Sequence, residues 1–431
     1  MKSVLLFLAC ILFCLTGPCH RAKAQDADYA RYVMDTLSAP GLYGRGYVNF
    51  GSLQASQFIT RQLFDLGVRP FTDSYSREFT LPVNTFPGSM MLNISGRDLM
   101  PGVEFVVRAD CPPVNGVFKI VFLDSADFAN QRKLDKILRK DLKNSLLTFD
   151  KSLLKGAASR QADSMLRTNY PGAGGYLMVN QGEKLIWSVS PGFRQLDYPV
   201  VEVLGEALPR KPENAAIIVD AEFYPAYRVM NIAGYLEGKK FPDSMLVFTA
   251  HYDHLGMMGR NARFPGANDN ASGVAMMLDL ARHFADSANR PDYSLAFLAF
   301  AGEEMGLKGS ENFVENPVFP LDRIKFLVNL DMVGTGSEGI TVVNGTIFQE
   351  YYRRMVRINA DNEYILKVAE RGESCNSDHC PFYRKGVPSV FIYSMGKEHR
   401  EYHTIYDLSQ RVPFSEYEDI FRLLRDFILT F

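Results

Sequence analysis

The chain is short of cysteine and tryptophan, with six Cys and one Trp in 431 residues. So few cysteines exclude a small disulfide-built scaffold. Charge of one sign is also missing. Lys and Arg number 47 against 49 Asp and Glu, a net of −2, which gives no electrostatic case for nucleic-acid binding. No apolar run reaches the ~20 residues that a spanning helix needs, and no internal repeat is present. What remains is ordinary: 47% hydrophobic and 22% charged residues, the composition of a globular protein. The length fits two or three folded units with ample core.

The first 24 residues read as a secretory signal peptide. Lys2 precedes an apolar stretch at 4–15, and Ala22-Lys23-Ala24 supplies the small residues of a cleavage site before Gln25. Pro18 before Cys19 departs from a lipoprotein pattern. The protein is therefore expected to be secreted or periplasmic, with no stable membrane insertion once the signal is removed. Removal takes Lys2, Arg21 and Lys23 and no acid, leaving a net charge of −5. Cys111, Cys375 and Cys380 then remain. Two states are open for the last two: a disulfide closing a small loop, or a pair of buried thiols.

Apolar spacing predicts helices over 29–37 and 51–66, separated by a glycine-rich turn at 41–46. From 86 to 227, short β-rich runs (103–107, 117–123 and 216–219) alternate with Pro and Gly turns. This segment reads as an inserted β-rich α+β domain. Within it, 132–155 is a basic helical stretch with Leu134, Ile137, Leu138 and Leu142 on one face, expected to bury that face and solvate the other. From 228 to 431, apolar strands (245–250, 295–300, 326–330 and 389–393) alternate with helices (273–285 and 414–429). Wholly apolar strands separated by helices are covered on both faces. The fold class is thus α/β, a mixed, mostly parallel central sheet with helices on both faces. Its boundaries are 25–85 for the first part and 228–431 for the main part, around the insert at 86–227.

The polar residues that carry chemistry fall where these strands end. His251 and Asp253 stand two apart, which points both side chains the same way along an extended segment. That suits a metal-ligating His251 with Asp253 behind it; a structural histidine fits an isolated H-x-D equally well. Asp269 lies in the small-residue turn 266–273 ahead of a helix, either as a cap or as a carboxylate between cations. Glu303 and Glu304 follow an apolar strand, and adjacent acids are costly to bury without compensating cations. Asp331 ends another strand, and His403 follows a third. Ligand sites in α/β sheets lie at the carboxyl ends of strands. Five ligands of mixed imidazole and carboxylate type fit two zinc-like ions sharing one bridge. One acid is left over beside a ligand, where a general base belongs.

The strings AHYDHLG (250–256), GANDNASG (266–273), AGEEMGLKGS (301–310), NLDMVG (329–334), SDHCPF (377–382) and YHTIYD (402–407) resemble peptidase family M28. This family holds the co-catalytic dizinc exopeptidases, including leucyl aminopeptidases, plasma glutamate carboxypeptidase and glutaminyl cyclase. LSAPGLYGRG (37–46) and LFDLGVRP (63–70) resemble its start, while 86–227 matches loosely, as a protease-associated-like insert. The resemblance implies a zinc-exopeptidase fold, peptide substrates and two Zn2+ ions, with Mn2+ or Co2+ fitting the same donors. It places His251 and Asp331 on one ion, Glu304 and His403 on the other, and Asp269 between them. Glu303 is then the general base, and Asp253 orients His251. His379, beside Asp378, is expected to line the pocket or to support the ligands.

The implied activity is that of a secreted aminopeptidase. Glutaminyl cyclase, a single-zinc acyltransferase, and a carboxypeptidase or dipeptidase are the alternatives within the family; AHYDHLG and GLKGS look more like its aminopeptidase branch. A non-catalytic binding protein is the alternative outside it, and no residue of the set departs from the family pattern to favour it. His254 and His399 read as loop or pocket-wall groups, and His283 as a surface residue. Asn93, Asn270 and Asn344 head glycosylation patterns, Asn270 standing too close to the expected bridge to carry a glycan.

Overall fold

The computed structural model describes residues 27–431; the expected signal peptide lies outside them. Among the described residues no helix is long and apolar enough to cross a membrane. The apolar runs form the middle of a nine-stranded mixed sheet. Tyr293–Phe300, Phe241–His251, Ile324–Leu330 and Ser389–Met395 lie side by side and parallel. Glu222–Leu236 flanks them antiparallel on one side and Gly339–Val343 on the other. Ser76–Thr85 and Arg69–Pro70 pair onto Glu222–Leu236, and Val368–Glu370 closes the far edge.

The strand Tyr293–Phe300 shows why these runs are continuous. Successive strand side chains point to opposite faces. Leu295, Phe297 and Ala299 pack into one core cluster, while Ala296, Leu298 and Phe300 pack into another. All six are fully buried, each large one contributing about 1.5–3 kcal/mol. The first cluster is covered by helices Ala27–Leu37, Gly51–Asp65, Ser272–Ala285 and Tyr417–Ile428, the second by Lys308–Glu315 and His379–Arg384. With both faces covered, the few polar residues inside the strands, such as Thr249 and Asn329, bond to one another, and the faces offer no place for the charged groups of the site. These groups collect instead in the loops beyond the strands' carboxyl ends.

Eight further strands between Met90 and Val219 form a second sheet. In it, Val114–Phe122, Ser145–Asp150, Gly175–Asn180 and Val200–Leu204 are successive parallel neighbours, a pattern that needs crossover connections. Helices Ser125–Ala129, Gln131–Leu138 and Ala157–Thr168 lie in those connections. The stretch 132–155, expected to be one helix, is therefore split: helix ends at Leu138, and Ser145–Asp150 is a buried strand. Its aromatic and β-branched residues fit a buried sheet position, which outweighs the helical spacing of the leucines. In the helical part Leu134 is buried while Arg132, Lys133 and Lys136 face solvent.

Cys375 and Cys380 are joined in a disulfide, and Cys111 is a buried free thiol pushed up to about 12 by burial. Asn270 and Asn344 are fully buried, their amides donating to the Leu330 and Ser389 carbonyls. Neither can carry a glycan, and Asn93 is the partly exposed member of the three.

Candidate metal centre

Four loops at the carboxyl ends of the strands bring the chemistry together. His251 ends its strand with Nδ1 3.2 Å from the Asp253 carbonyl. His403 sits in the loop after Ser389–Met395 with Nδ1 2.9 Å from the Trp187 carbonyl. A carbonyl only accepts, so each ring donates from Nδ1 and presents a bare Nε2. Both Nε2 atoms face carboxylates. That of His251 is 3.4 Å from Asp269 Oδ1 and 3.5 Å from Asp331 Oδ1. That of His403 is 3.2 Å from Asp269 Oδ2 and 3.2 Å from Glu304 Oε2. Asp269 thus turns one oxygen to each histidine.

A bare Nε2 and a carboxylate oxygen are both acceptors, and they repel unless a positive charge lies between them. Asp269, Glu304 and Asp331 are moreover nearly buried, which is costly for unpaired charge. Burial acts to lower the His403 pKa, yet the Glu304 and Asp269 carboxylates carry it up to about 11. The same neighbours that hold a proton there favour a metal cation. Two imidazole nitrogens with three carboxylates are a donor set that suits zinc, so the residues present fit the ions.

Glu303 is placed differently. It comes within metal-ligand range of His251 and Asp331, and its backbone N–H donates to Asp253 Oδ1 at 3.2 Å. Burial pushes its carboxyl well above the ordinary value; His251 opposes this, while Glu304, Asp378 and Asp331 add to it. Glu304 behaves in the opposite way: burial raises it, but His403 and His254 bring it down to about 2. Two adjacent acids are thereby pushed apart, one disposed to hold a proton and one to stay charged. Asp253 lies behind His251 as expected, although its carbonyl is nearer to Nδ1 than its carboxylate, which is at 3.8 Å.

A supporting layer surrounds these groups. His254 Nδ1 lies 2.7 Å from Glu304 Oε1. Ser377 donates to Asp331 Oδ2 at 2.8 Å and is itself held by Asn329. Asp407 accepts the backbone N–H groups of Asn268 and Asp269, and His399 Nε2 is 2.7 Å from its Oδ1. Arg45 is fully buried and donates to the carbonyls of Leu37, Tyr252, Pro265, Gly266 and Asp269. The glycine-rich turn makes that reach possible: a Cβ on Gly46 would lie 2.5 Å from Gly256 Cα. Arg45, Trp187 and Asp407 carry no role in the sequence argument, and His254 figures there as a loop or pocket-wall group rather than as a partner of Glu304. AHYDHLG and YHTIYD contain two of them, but their partners lie far off in the chain. Trp187 acts through a backbone carbonyl, which no side-chain pattern can reveal.

A cavity of about 260 Å³ opens over the acids. His251, Asp269, Glu303, Glu304, Asp331 and His403 line its floor, with Met332, Arg371, Asn376, Phe391, Tyr393 and Tyr402 around them. The Tyr402 ring stacks on His403 with centroids 3.8 Å apart. His379 is not among the lining residues. It is buried behind Phe391 with Nε2 2.8 Å from the Ser374 carbonyl, and burial pushes its pKa down to about 4. His283 packs edge-on against Phe284 and Phe421, remote from this cluster in the fold.

Residues 231–428 match the model of peptidase family M28. Aminopeptidase YwaD of Bacillus subtilis is 33% identical over 233 residues, covering 52% of this chain and 48% of the relative. Leupeptin-inactivating enzyme 1 of Streptomyces exfoliatus is 30% identical over 156 residues, covering 36% and 33%. The chain thus spans about half or less of the length of these curated relatives. Among solved structures, the zinc aminopeptidase BSAP of Bacillus subtilis superposes with a TM-score of 0.71 at 22% identity, covering 95% of this chain and 96% of that one. A peptidase M28 precursor from Shewanella amazonensis superposes with a TM-score of 0.70 at 17% identity, covering 95% and 94%. These likenesses show a shared fold along nearly the whole length. Over residues 231–428, a little under half of its length, the chain is thus similar to peptidase family M28.

Proposed function

We propose that this protein is an exported, zinc-dependent exopeptidase, an aminopeptidase that removes N-terminal residues from peptides. The observation that carries the proposal is the Asp269 carboxylate lying between the bare Nε2 atoms of His251 and His403, with Glu303 beside them. His251 and Asp331 would hold one ion, Glu304 and His403 the other, and Asp269 both. Bound zinc supplies Lewis acidity, lowering the pKa of a coordinated water and polarising the scissile carbonyl.

The protein's own groups do the rest. Glu303 accepts the proton of the attacking water and returns it to the departing amine. Asp253 and the carbonyls of Asp253 and Trp187 fix the imidazole rings, and His254 fixes Glu304. Second-layer contacts of this kind commonly govern metal affinity. A cavity of about 260 Å³ lies just under the ~300–1,000 Å³ of small-molecule pockets. That size suits a terminal residue and its scissile bond, which supports exopeptidase action. The acidic floor supports recognition of a free α-amine.

The segment 86–227 is proposed to be an inserted domain that limits access, since Trp187 within it reaches His403. Residues 1–24 are proposed to direct export, which N-terminal sequencing of the mature protein would establish. The activity test compares leucine peptides with free and acetylated amines before chelation, after chelation and after zinc is restored. Release that depends on the free amine and returns with zinc is expected. Release indifferent to either would overturn the proposal.

A further inference from the structure

The floor of the cavity is acidic, yet one cation stands in its wall. Among the described residues lining it, Arg371 is the only Lys or Arg. Its backbone is fixed at the end of the edge strand Val368–Glu370, where its N–H donates to the Val342 carbonyl at 2.9 Å. Its side chain makes no ion pair among the described residues. The two nearest acids in sequence bond elsewhere: Glu370 accepts from Gln349 at 2.6 Å and Glu373 from the Tyr383 hydroxyl at 3.2 Å. Four residues on, the Cys375–Cys380 disulfide closes the loop that also brings Asn376 to the cavity.

An exposed guanidinium on a fixed backbone, with its fork of donors unused, is suited to a planar carboxylate. The acids of the floor are not its natural partners, because metal cations would neutralise them. Met332, Phe391 and Tyr393 give the rest of the wall an apolar character. We propose that Arg371 is a specificity-determining residue that pairs with a substrate carboxylate. In so compact a cavity, that carboxylate is either the acidic side chain of the N-terminal residue or the free C-terminus of a dipeptide. This rests on the exopeptidase reading and names its substrate class.

The test compares wild type with Arg371→Met and Arg371→Lys. Two ratios of kcat/KM are measured: glutamyl over leucyl anilide, and leucyl-leucine over its amide. Arg371→Met is expected to lower one of them about tenfold, chiefly through KM, as loss of a charge-assisted hydrogen bond does. Arg371→Lys should recover part of the loss. A fall in the first ratio identifies the side-chain carboxylate and a fall in the second the C-terminal one. If neither ratio moves more than about twofold, the proposal is overturned.

Binding to the zinc-loaded protein, recorded before any turnover is appreciable, separates this result from the fate of the activity proposal. Glutamate, leucyl-leucine and leucine amide are titrated by NMR against wild type and Arg371→Met. Weaker binding of a carboxylate ligand in the variant, relative to leucine amide, supports the role even if no peptide is cleaved. Equal behaviour of the two proteins overturns it.

Discussion

Replacing Glu303 by Gln tests the division of labour between the adjacent acids. The change keeps the side chain's size and leaves the backbone N–H that donates to Asp253 in place. It removes only the capacity to take a proton. General acid–base catalysis contributes about 10²–10⁴-fold, so kcat should fall by that factor, equal to about 3–5 kcal/mol of transition-state stabilisation. KM should stay within about threefold, because the amine and carbonyl of the substrate are held by other groups. Zinc content by elemental analysis should be unchanged.

Stability supplies an independent sign. The Glu303 carboxyl is raised well above its ordinary value by burial. In the metal-free protein, such an acid costs stability progressively as pH rises above its unfolded pKa, because only the unfolded chain releases the proton easily. Glutamine abolishes that cost. Metal-free Glu303→Gln should therefore melt at or above the wild-type temperature at pH 7. Retention of more than about a tenth of kcat would refute the base role. Loss of zinc alongside activity would make Glu303 a ligand instead.

Three other outcomes are expected. Arg45→Met leaves five backbone carbonyls without their shared donor and should cost about 1–3 kcal/mol or more, as buried acceptors left unsatisfied do, read from the denaturant midpoint. Lys184 bonds the Arg400 carbonyl and Glu401 Oε2 beside His403, so Lys184→Ala should weaken zinc affinity up to about tenfold, with activity recovered at high zinc. Glu398 accepts from the backbones of Gly336 and Ser337 and from the hydroxyls of Ser337 and Ser415. Burial tends to raise its pKa, but these bonds, the Ser337 hydroxyl foremost, bring it from 4.5 to about 2. Its contribution is complete above pH 4.5 and is lost as pH falls toward 2. After discounting for its exposure, this amounts to about 1 kcal/mol, and Glu398→Gln should remove that part of the acid-side slope.

Much of the main sheet was legible because its strands are buried on both faces. The apolar runs at 245–250, 295–300, 326–330 and 389–393 lie within Phe241–His251, Tyr293–Phe300, Ile324–Leu330 and Ser389–Met395. The acids and histidines that interrupt such runs mark strand ends and the loops beyond them, which singled out the residues around Asp269, while their separate roles came from the family resemblance. The segment 132–155 misled because Leu134, Ile137, Leu138 and Leu142 keep helical spacing up to a strand that begins at Ser145. Only the parallel neighbours decide in favour of sheet there. For His379 the sequence left both a place in the pocket wall and support of the ligands open. This residue adjoins Asp378 in sequence, but the short helix His379–Arg384 turns it toward Ser374 and away from the cavity. Arg45 and Asp407 owe their positions to contacts with distant parts of the chain, which local patterns do not encode.

The central claim is that Asp269 stands between two zinc ions. Anomalous diffraction at the zinc edge, from crystals of the zinc-loaded protein, tests it most directly. The account predicts two peaks flanking the Asp269 carboxylate, one against Nε2 of His251 and the other against Nε2 of His403. A single peak, or none beside Asp269, would contradict it.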